Sequence, residues 1–481
     1  MIKTKILEEY DLEVRDIPVT ISIVQKKGNY ALSYNISISG ISKITEVVLE
    51  EVQENLIKKM NVEDIEVEEE SGKANKQFEK EAAMMLEEYF PYSSDTVKNT
   101  LRSYLISRSI GMGYVDFLLK DEKLEEITID NSKDPIWVYH RDYGWVKTNI
   151  YMSDEDQIKQ TAARIGRRVG RQINTLNPLL DAYLSTGERV NATISPITPK
   201  GNTITLRKFS DDPWTITKFV ENETISLSAA AFLWMVIEYE MSVLVVGGTA
   251  SGKTSMLNAL ANFIPTNQRI ISIEDTRELK LAKFLYWVPM ITRLANAEGK
   301  GEVTMEDLLV NSLRMRPDRI LVGEVRRHKE AETMFEAIHT GHSCYGTFHA
   351  NNAKEAVTRL TNKPVEVPKS LLPAVNVMLV QHRNRRTGER RTLEVAEITE
   401  EGDPRILYSL DQKKGKLKKV NEPKRLFEEL KLFTGYDKKD IIRDLKTKQK
   451  LLGKMVKAKV FNVHEVGQKM ADYYTGKSEM R

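Results

Sequence analysis

The stretch GGTASGKT, Gly247 to Thr254, follows the apolar run Val243–Val246 and meets G-x-x-x-x-G-K-[ST] at every fixed position. The next residues, SMLNALANFI, set Met256, Leu257, Leu260, Phe263 and Ile264 at the three-to-four spacing of a helix packed on a sheet. Strand, glycine-rich loop and helix opening together make a phosphate cradle, with backbone N–H groups aimed at phosphate oxygens from a positive helix terminus. The expected nucleotide-contacting residues are Gly247, Gly248, Thr249, Ala250, Ser251, Gly252, Lys253, Thr254 and Ser255. Among them Lys253 would bridge the β and γ phosphates, and the Thr254 hydroxyl would hold Mg2+. A glycine-rich turn without a nucleotide is the competing reading, weakened by the coincidence of strand, motif and helix.

Downstream, the strand IISIEDT, Ile270 to Thr276, ends in Glu274 and Asp275, carboxylates delivered where α/β sheets place ligands. Either could take a proton from, or orient, an attacking water; two acids at a strand end also serve simply as a helix cap. The run RILVGE, Arg319 to Glu324, stops at a carboxylate suited to Mg2+ and a γ phosphate. Gly323, in place of an aspartate, leaves open whether Glu324 touches the metal directly, acts through water or orients the nucleophile. As a structural alternative, Glu324 would cap a helix starting near Lys329. In GHSCYGTFHAN, His342 and His349 flank a short apolar strand, and a histidine at its end can donate to a γ oxygen. Arg189 and Arg207 upstream, and Arg314, Arg316 and Arg326 around RILVGE, are candidate cations for phosphoryl transfer, though any one arginine is more often a surface ion pair.

A chain of 481 residues exceeds one ordinary core, so several domains are expected. A single cysteine, Cys344, excludes an internal disulfide framework and a cysteine-only metal site within the chain, which fits a reducing cytoplasm. No membrane span is expected: AAAFLWMVIEYEMSVLVV carries Glu238 and Glu240 midway and reads as helix, turn and strand. The amino terminus lacks the apolar core of a signal peptide, so any membrane role would be peripheral. Net charge is +3 overall, yet residues 401–481 hold 21 Lys or Arg against 12 acids, +9, leaving −6 for the rest. That basic tail either faces an acidic or anionic partner or is a solvated helical surface. No basic run interleaved with aromatics suggests a nucleic-acid platform.

The segments VTISIV and YALSYNISIS around KKGN read as a β-hairpin, and residues 1–75 as an α+β accessory region closing in the acidic stretch Glu63–Asn75, a linker or exposed edge. Residues 76–209 read as helices followed by a strand-rich α+β domain, 210–226 as an interdomain connector, 227–403 as an α/β nucleotide domain, and 404–481 as a hairpin and basic helices.

The order of these blocks resembles the secretion ATPases of type II and type IV secretion, type IV pilus and archaellum systems. IEDTREL is similar to their Asp box, LRMRPDRILVGEVR to their atypical Walker B segment, GHSCYGTFHANN to their His box, and GMGYVDFLLKDEKLEEITID to the entry of their N-terminal domain. The resemblance runs from about Arg108 to Ile398. GGTASGKT, PVEVPKSLL and PIWVYHRDYGW look most like the archaeal branch.

That resemblance implies a PAS-like N-terminal domain, a RecA-like ATPase domain and a homo-hexameric ring that hydrolyses ATP with Mg2+. The ring would move the cytoplasmic surface of a polytopic membrane platform protein, to which the chain would associate peripherally. It assigns Glu274 as the Asp-box catalytic glutamate, Glu324 as the Walker B glutamate and His349 as the His-box histidine, with Arg189 and Arg207 reaching phosphate. The four-cysteine metal element of many bacterial assembly members cannot be built here. A DNA-translocating or conjugative ATPase and a non-hydrolysing scaffold are the competing functions. A GTPase is disfavoured because TNKPV, Thr361 to Val365, lacks the Asp of N-K-x-D.

Overall fold

A computed structural model describes residues 4–59, 73–109, 111–184, 187–208, 213–293, 295 and 299–479. The Glu63–Asn75 stretch lies mostly outside them, as do the first residues of the expected connector. The chain divides into two compact units, 1–211 and 212–481.

Unit 1 is built on a nine-stranded sheet. Its strands are β1 (Thr4–Val14), β2 (Ile17–Lys26), β3 (Ser33–Ile38), β4 (Leu124–Ile129), β5 (Trp137–His140), β6 (Gly144–Thr148), β7 (Leu179–Tyr183), β8 (Arg189–Thr193) and β9 (Thr203–Arg207). Their spatial order is β1-β2-β3-β6-β5-β4-β9-β8-β7. The β2–β3 hairpin is the one the alternating sequence predicts. β1 is an addition: Arg15 and Asp16 turn it back with φ of 52° and 64°, a two-residue left-handed turn without the usual glycine.

Residues 1–75, set apart as an accessory region by the sequence reading, are not separate in the described part. β3 pairs with β6 through Ser33↔Lys147 and Tyr34↔Thr148, and one core joins Val19, Ile21 and Leu49 to Ile127, Val138 and Ile158. The helices Lys43–Lys59, Lys73–Tyr89 and Asp95–Ser109 contribute Leu49, Val52 and Leu56, then Phe78, Ala82 and Leu86, then Leu101, Tyr104 and Leu105 to that core, each set at helical spacing.

Unit 2 has the α/β fold. Its strands are β10 (Val243–Gly247), β11 (Ile270–Glu274), β12 (Trp287–Ile291), β13 (Arg319–Val322), β14 (Ser343–Phe348), β15 (Val377–Arg383), β16 (Arg390–Ile398), β17 (Pro404–Asp411) and β18 (Lys416–Lys419). The order is β12-β11-β13-β14-β10-β15-β16-β17-β18; the first six are parallel and the last three continue antiparallel. Val243 and Val245 of β10 face one core, Leu244 and Val246 the other, which is why a central parallel strand reads VLVV rather than alternating.

The basic tail is more than a solvated helical surface. β17 and β18 extend the sheet, and the helices Arg425–Thr434, Lys438–Lys457 and Val463–Glu479 bury Leu430, Ile441, Leu452, Met455, Val466 and Met470 in the same core as β10. They cover the outside of helix Leu227–Glu238, whose sequence is apolar all round because it is buried on both sides. Trp234 of that helix stacks on Phe263 and donates to Tyr474 Oη at 2.8 Å. Lys448 is fully buried, 2.7 Å from Glu238 and paired also with Asp444, inside a cage of Trp234, Tyr239 and Tyr473. The expected connector is likewise ordered where described: Thr215 caps helix Ile216–Glu221 and hydrogen-bonds to the carbonyl of Phe461.

Among the described residues no helix is long and apolar enough to cross a membrane.

Candidate active site

The loop after β10 is shaped by close approach. A Cβ on Gly247 would lie 2.4 Å from Ser251 Oγ and 2.6 Å from the carbonyl oxygen of Gln381, so only glycine lets strand and loop meet there. Ala250 and Gly252 take positive φ, 58° and 89°, and Gly252 is the N-cap of helix Lys253–Ala261. Ser251 Oγ donates to Gly248 O at 2.8 Å, closing the loop on itself. The side chain of Gly252 is absent, so the first-turn N–H groups of the helix open toward the loop, an arrangement suited to anionic oxygens.

Lys253 is largely buried, its Nζ donating to Gly248 O at 3.0 Å and standing 3.3 Å from His349 Nε2. Burial pulls the lysine below its ordinary range, with the Glu324 charge opposing the shift. His349 lies just beyond β14 and Glu324 just beyond β13, neighbouring parallel strands, and their side chains meet at 2.8 Å, Nε2 to Oε1. Burial and the Lys253 charge keep His349 below the usual imidazole range, so the ring is neutral near pH 7. With a carboxylate on one side and an ammonium on the other, Nε2 bears the proton and donates it to Glu324; Lys253 already has an acceptor in Gly248.

The second oxygen of Glu324 accepts from Arg326 Nη2, and Arg326 Nη1 reaches Asp275 Oδ2 at 3.0 Å. Lys253, His349, Glu324, Arg326 and Asp275 thus form one polar chain across the C-terminal ends of β10, β14, β13 and β11. Parallel strands present their carboxyl ends on one side of the sheet, which is how distant sequence positions converge.

Glu274 stands apart from this chain. It is buried, and its Oε1 accepts the N–H groups of Glu278 and Leu279, both at 2.9 Å, while Oε2 has no hydrogen-bond partner among the described residues. Burial raises its pKa to about 7 against the pull of those two N–H groups. The carboxylate of the pair that faces Arg326 is Asp275.

Gly323 has a steric reason: a Cβ there would come within 3.3 Å of the Glu274 Cα and Cγ, so the strand ends of β11 and β13 touch. Glu330, not Glu324, caps the next helix, its Oε2 accepting from the N–H groups of Arg326 and Arg327.

His342 precedes β14 at the opposite strand end and hydrogen-bonds with Ala337 O, so the two histidines of the block are separated by the length of the strand. Arg314 and Arg316 are exposed and have no contact with the polar chain among the described hydrogen bonds and ion pairs. Arg189 and Arg207 are directly opposed across β8 and β9; Arg189 forms a two-pronged pair with Asp181, at 3.1 and 2.7 Å. Like charges facing across a ladder are unfavourable, and Asp181 offsets one of them.

The sequence reading passed over Arg390. It starts β16, and its Nε donates to the carbonyl of Ala250 at 3.0 Å, laying a guanidinium on the loop. The basic turn RNRRTGERR was visible, but its place followed only from β15 pairing beside β10, with Gly247 opposite Gln381.

Fold and loop define a P-loop α/β protein. The chain belongs to the type II/IV secretion system protein family, whose model matches residues 111–430. An uncharacterised protein of Methanocaldococcus jannaschii is 35% identical over 376 residues, covering 76% of this chain and 68% of that one. The type IV secretion system protein PtlH of Bordetella pertussis is 29% identical over 307 residues, covering 57% and 89%. The Legionella pneumophila ATPase DotB, a solved structure, is 20% identical over 60% of this chain and 81% of its own, with a TM-score of 0.44.

Proposed function

We propose that the chain is an ATP-hydrolysing motor, working as a homo-hexamer on the cytoplasmic face of a polytopic membrane platform protein. It would drive assembly or movement of a type IV pilus-like or archaellum filament, or a related secretion apparatus. The observation that carries the hydrolytic part is the polar chain running from Lys253 through His349 and Glu324 to Arg326 and Asp275. A binding site alone needs the loop; a cleavage site also needs a carboxylate held beside the γ-phosphate lysine.

In this reading residues Gly247 to Ser255 hold the phosphates and Thr254 holds Mg2+. Both oxygens of Glu324 are engaged by His349 and Arg326. Its better-fitting role is therefore to take a proton from, or orient, the attacking water, with the metal contacted through water. His349 keeps Glu324 placed and can turn its N–H to a γ oxygen. Glu274, in its ionised form, is a second candidate base whose use requires release from its two backbone donors. Arg189 and Arg207 are proposed to meet phosphate charge from unit 1. Peripheral attachment to the membrane would come through the platform.

The test is ATP turnover and nucleotide affinity of the chain and its Lys253→Ala variant, with sedimentation of the assembled protein and co-purification from native membrane. Wild-type ATP affinity in Lys253→Ala would refute the cradle. A partner that is DNA, with hydrolysis stimulated by it and suppressed by salt, would replace the filament motor with a conjugative one.

A further inference from the structure

Behind the Glu324–His349 pair lies a cavity of about 280 Å³. Glu324 and His349 form part of its wall, and both also belong to the polar chain that begins at Lys253. The remaining wall is cationic and apolar: Arg326, Arg359 and Lys363 over Val325, Phe348 and Val365. The two cations that the polar chain does not use are weakly engaged. The ion pair of Arg359 with Glu355 Oε1 is stretched to 4.0 Å, because Glu355 spends its other oxygen on the backbone and side-chain N–H groups of Asn351, at 3.0 and 2.9 Å. Lys363 stands 3.9 Å from Glu366, and the Arg359 guanidinium lies 5.8 Å above the Phe348 ring.

Arg326 is already paired with Glu324 and Asp275, and Glu324 is bonded on both oxygens, so the charge left to the cavity is that of Arg359 and Lys363, which favours an anion. The cavity volume far exceeds the roughly 15 Å³ that one water requires, so a tetrahedral oxyanion fits together with water.

We infer that this cavity is a binding site for inorganic phosphate, receiving the product from the γ position past Glu324 and His349 while ADP is still in the loop. The inference rests on the hydrolytic reading above. Cleavage of ATP by water yields ADP and phosphate, and the new phosphate leaves beside two like-charged groups, the ADP phosphates and the Glu324 carboxylate. Arg359 and Lys363, which line the same cavity as that carboxylate, supply the opposite charge. His349, neutral and hydrogen-bonded, is the movable part of the wall; rotation of its ring away from Glu324 opens the path.

Two measurements test it, both on the full chain. The first is calorimetric binding of inorganic phosphate to Lys253→Ala, in which the loop cation is gone and every residue lining the cavity is retained. Adding Arg359→Ala and Lys363→Ala should weaken phosphate binding by about tenfold or more, whereas the charge-preserving pair Arg359→Lys and Lys363→Arg should retain it. The second is inhibition of ATP turnover by added phosphate, which the alanine pair should relieve by a similar factor with ATP affinity unchanged.

Phosphate affinity unmoved by the alanine pair, with ATP turnover intact, overturns the cavity assignment alone. Failure of the intact chain to hydrolyse ATP overturns the motor reading, and the product assignment with it. Absence of phosphate binding, together with altered sedimentation of the alanine pair, would give the cavity to an acidic side chain of a second copy and overturn the assignment to phosphate.

Discussion

The Nε2 atom of His349 lies 2.8 Å from Oε1 of Glu324, and that contact brings the end of β14 to the end of β13 beside the Lys253 ammonium. A carboxylate held by His349 on one oxygen and by Arg326 on the other is fixed in direction, as a group that is to take a proton from water must be.

Glu324→Gln keeps the shape and removes the basicity. ATP should still bind, while turnover falls by about a hundredfold or more. Single-turnover hydrolysis with matched nucleotide-affinity measurements checks this; near-normal turnover would move the role to Glu274 or Asp275.

Glu274 gives a pH signature. Its pKa in the fold is about 7, above the ordinary value of 4.5, so the folded state holds the proton more tightly than the unfolded chain. The resulting stabilisation is complete below the unfolded value and is lost as pH rises through about 7. Glu274→Gln, permanently neutral, should not lose it. The melting temperature of the variant relative to wild type should therefore rise between pH 4.5 and 7 by on the order of a few degrees. A constant difference across that range would refute the assignment.

Lys448 is fully buried between Glu238 and Asp444. Lys448→Ala takes the cation away from two largely buried carboxylates and should destabilise the chain by about 3–5 kcal/mol. The readout is the urea midpoint. A shift no larger than that of an exposed lysine such as Lys454→Ala would show that the tail does not need the pair.

Arg207 is exposed at the end of β9, opposite Arg189 in the ladder. If it meets γ-phosphate charge, Arg207→Ala should slow hydrolysis by at least about tenfold while ADP affinity stays within about twofold. Paired measurement of turnover and ADP binding decides it, equal losses pointing to damage to the sheet.

Much of unit 2 could be read directly. Short-range patterns carried it: VLVV before GGTASGKT, the three-to-four spacing after it, and the acid-ended strand RILVGE each depend on neighbours within a few residues. β1 escaped because its turn, Arg15–Asp16, adopts left-handed geometry with residues that do not advertise it. The hairpin and helices of the tail were legible, but their packing was not, because a charge count treats every residue of a helix alike whereas Leu452, Met455 and Val466 lie on the faces that are buried.

By itself, then, the sequence determined the phosphate loop, the parallel sheet around it and the set of acids, histidines and arginines from which a site could be drawn. Only the tertiary structure decided which of them meet. Asp275 rather than Glu274 faces Arg326; His349 rather than His342 reaches Glu324; Arg390 returns to the loop from the far side of a hairpin. The reason is geometric: adjacent residues on a strand point to opposite faces, and the two ends of a six-residue strand are some 17 Å apart or more. A single position along the chain thus separates a carboxylate in the polar chain from one tied to the backbone, and that choice is made by sheet register.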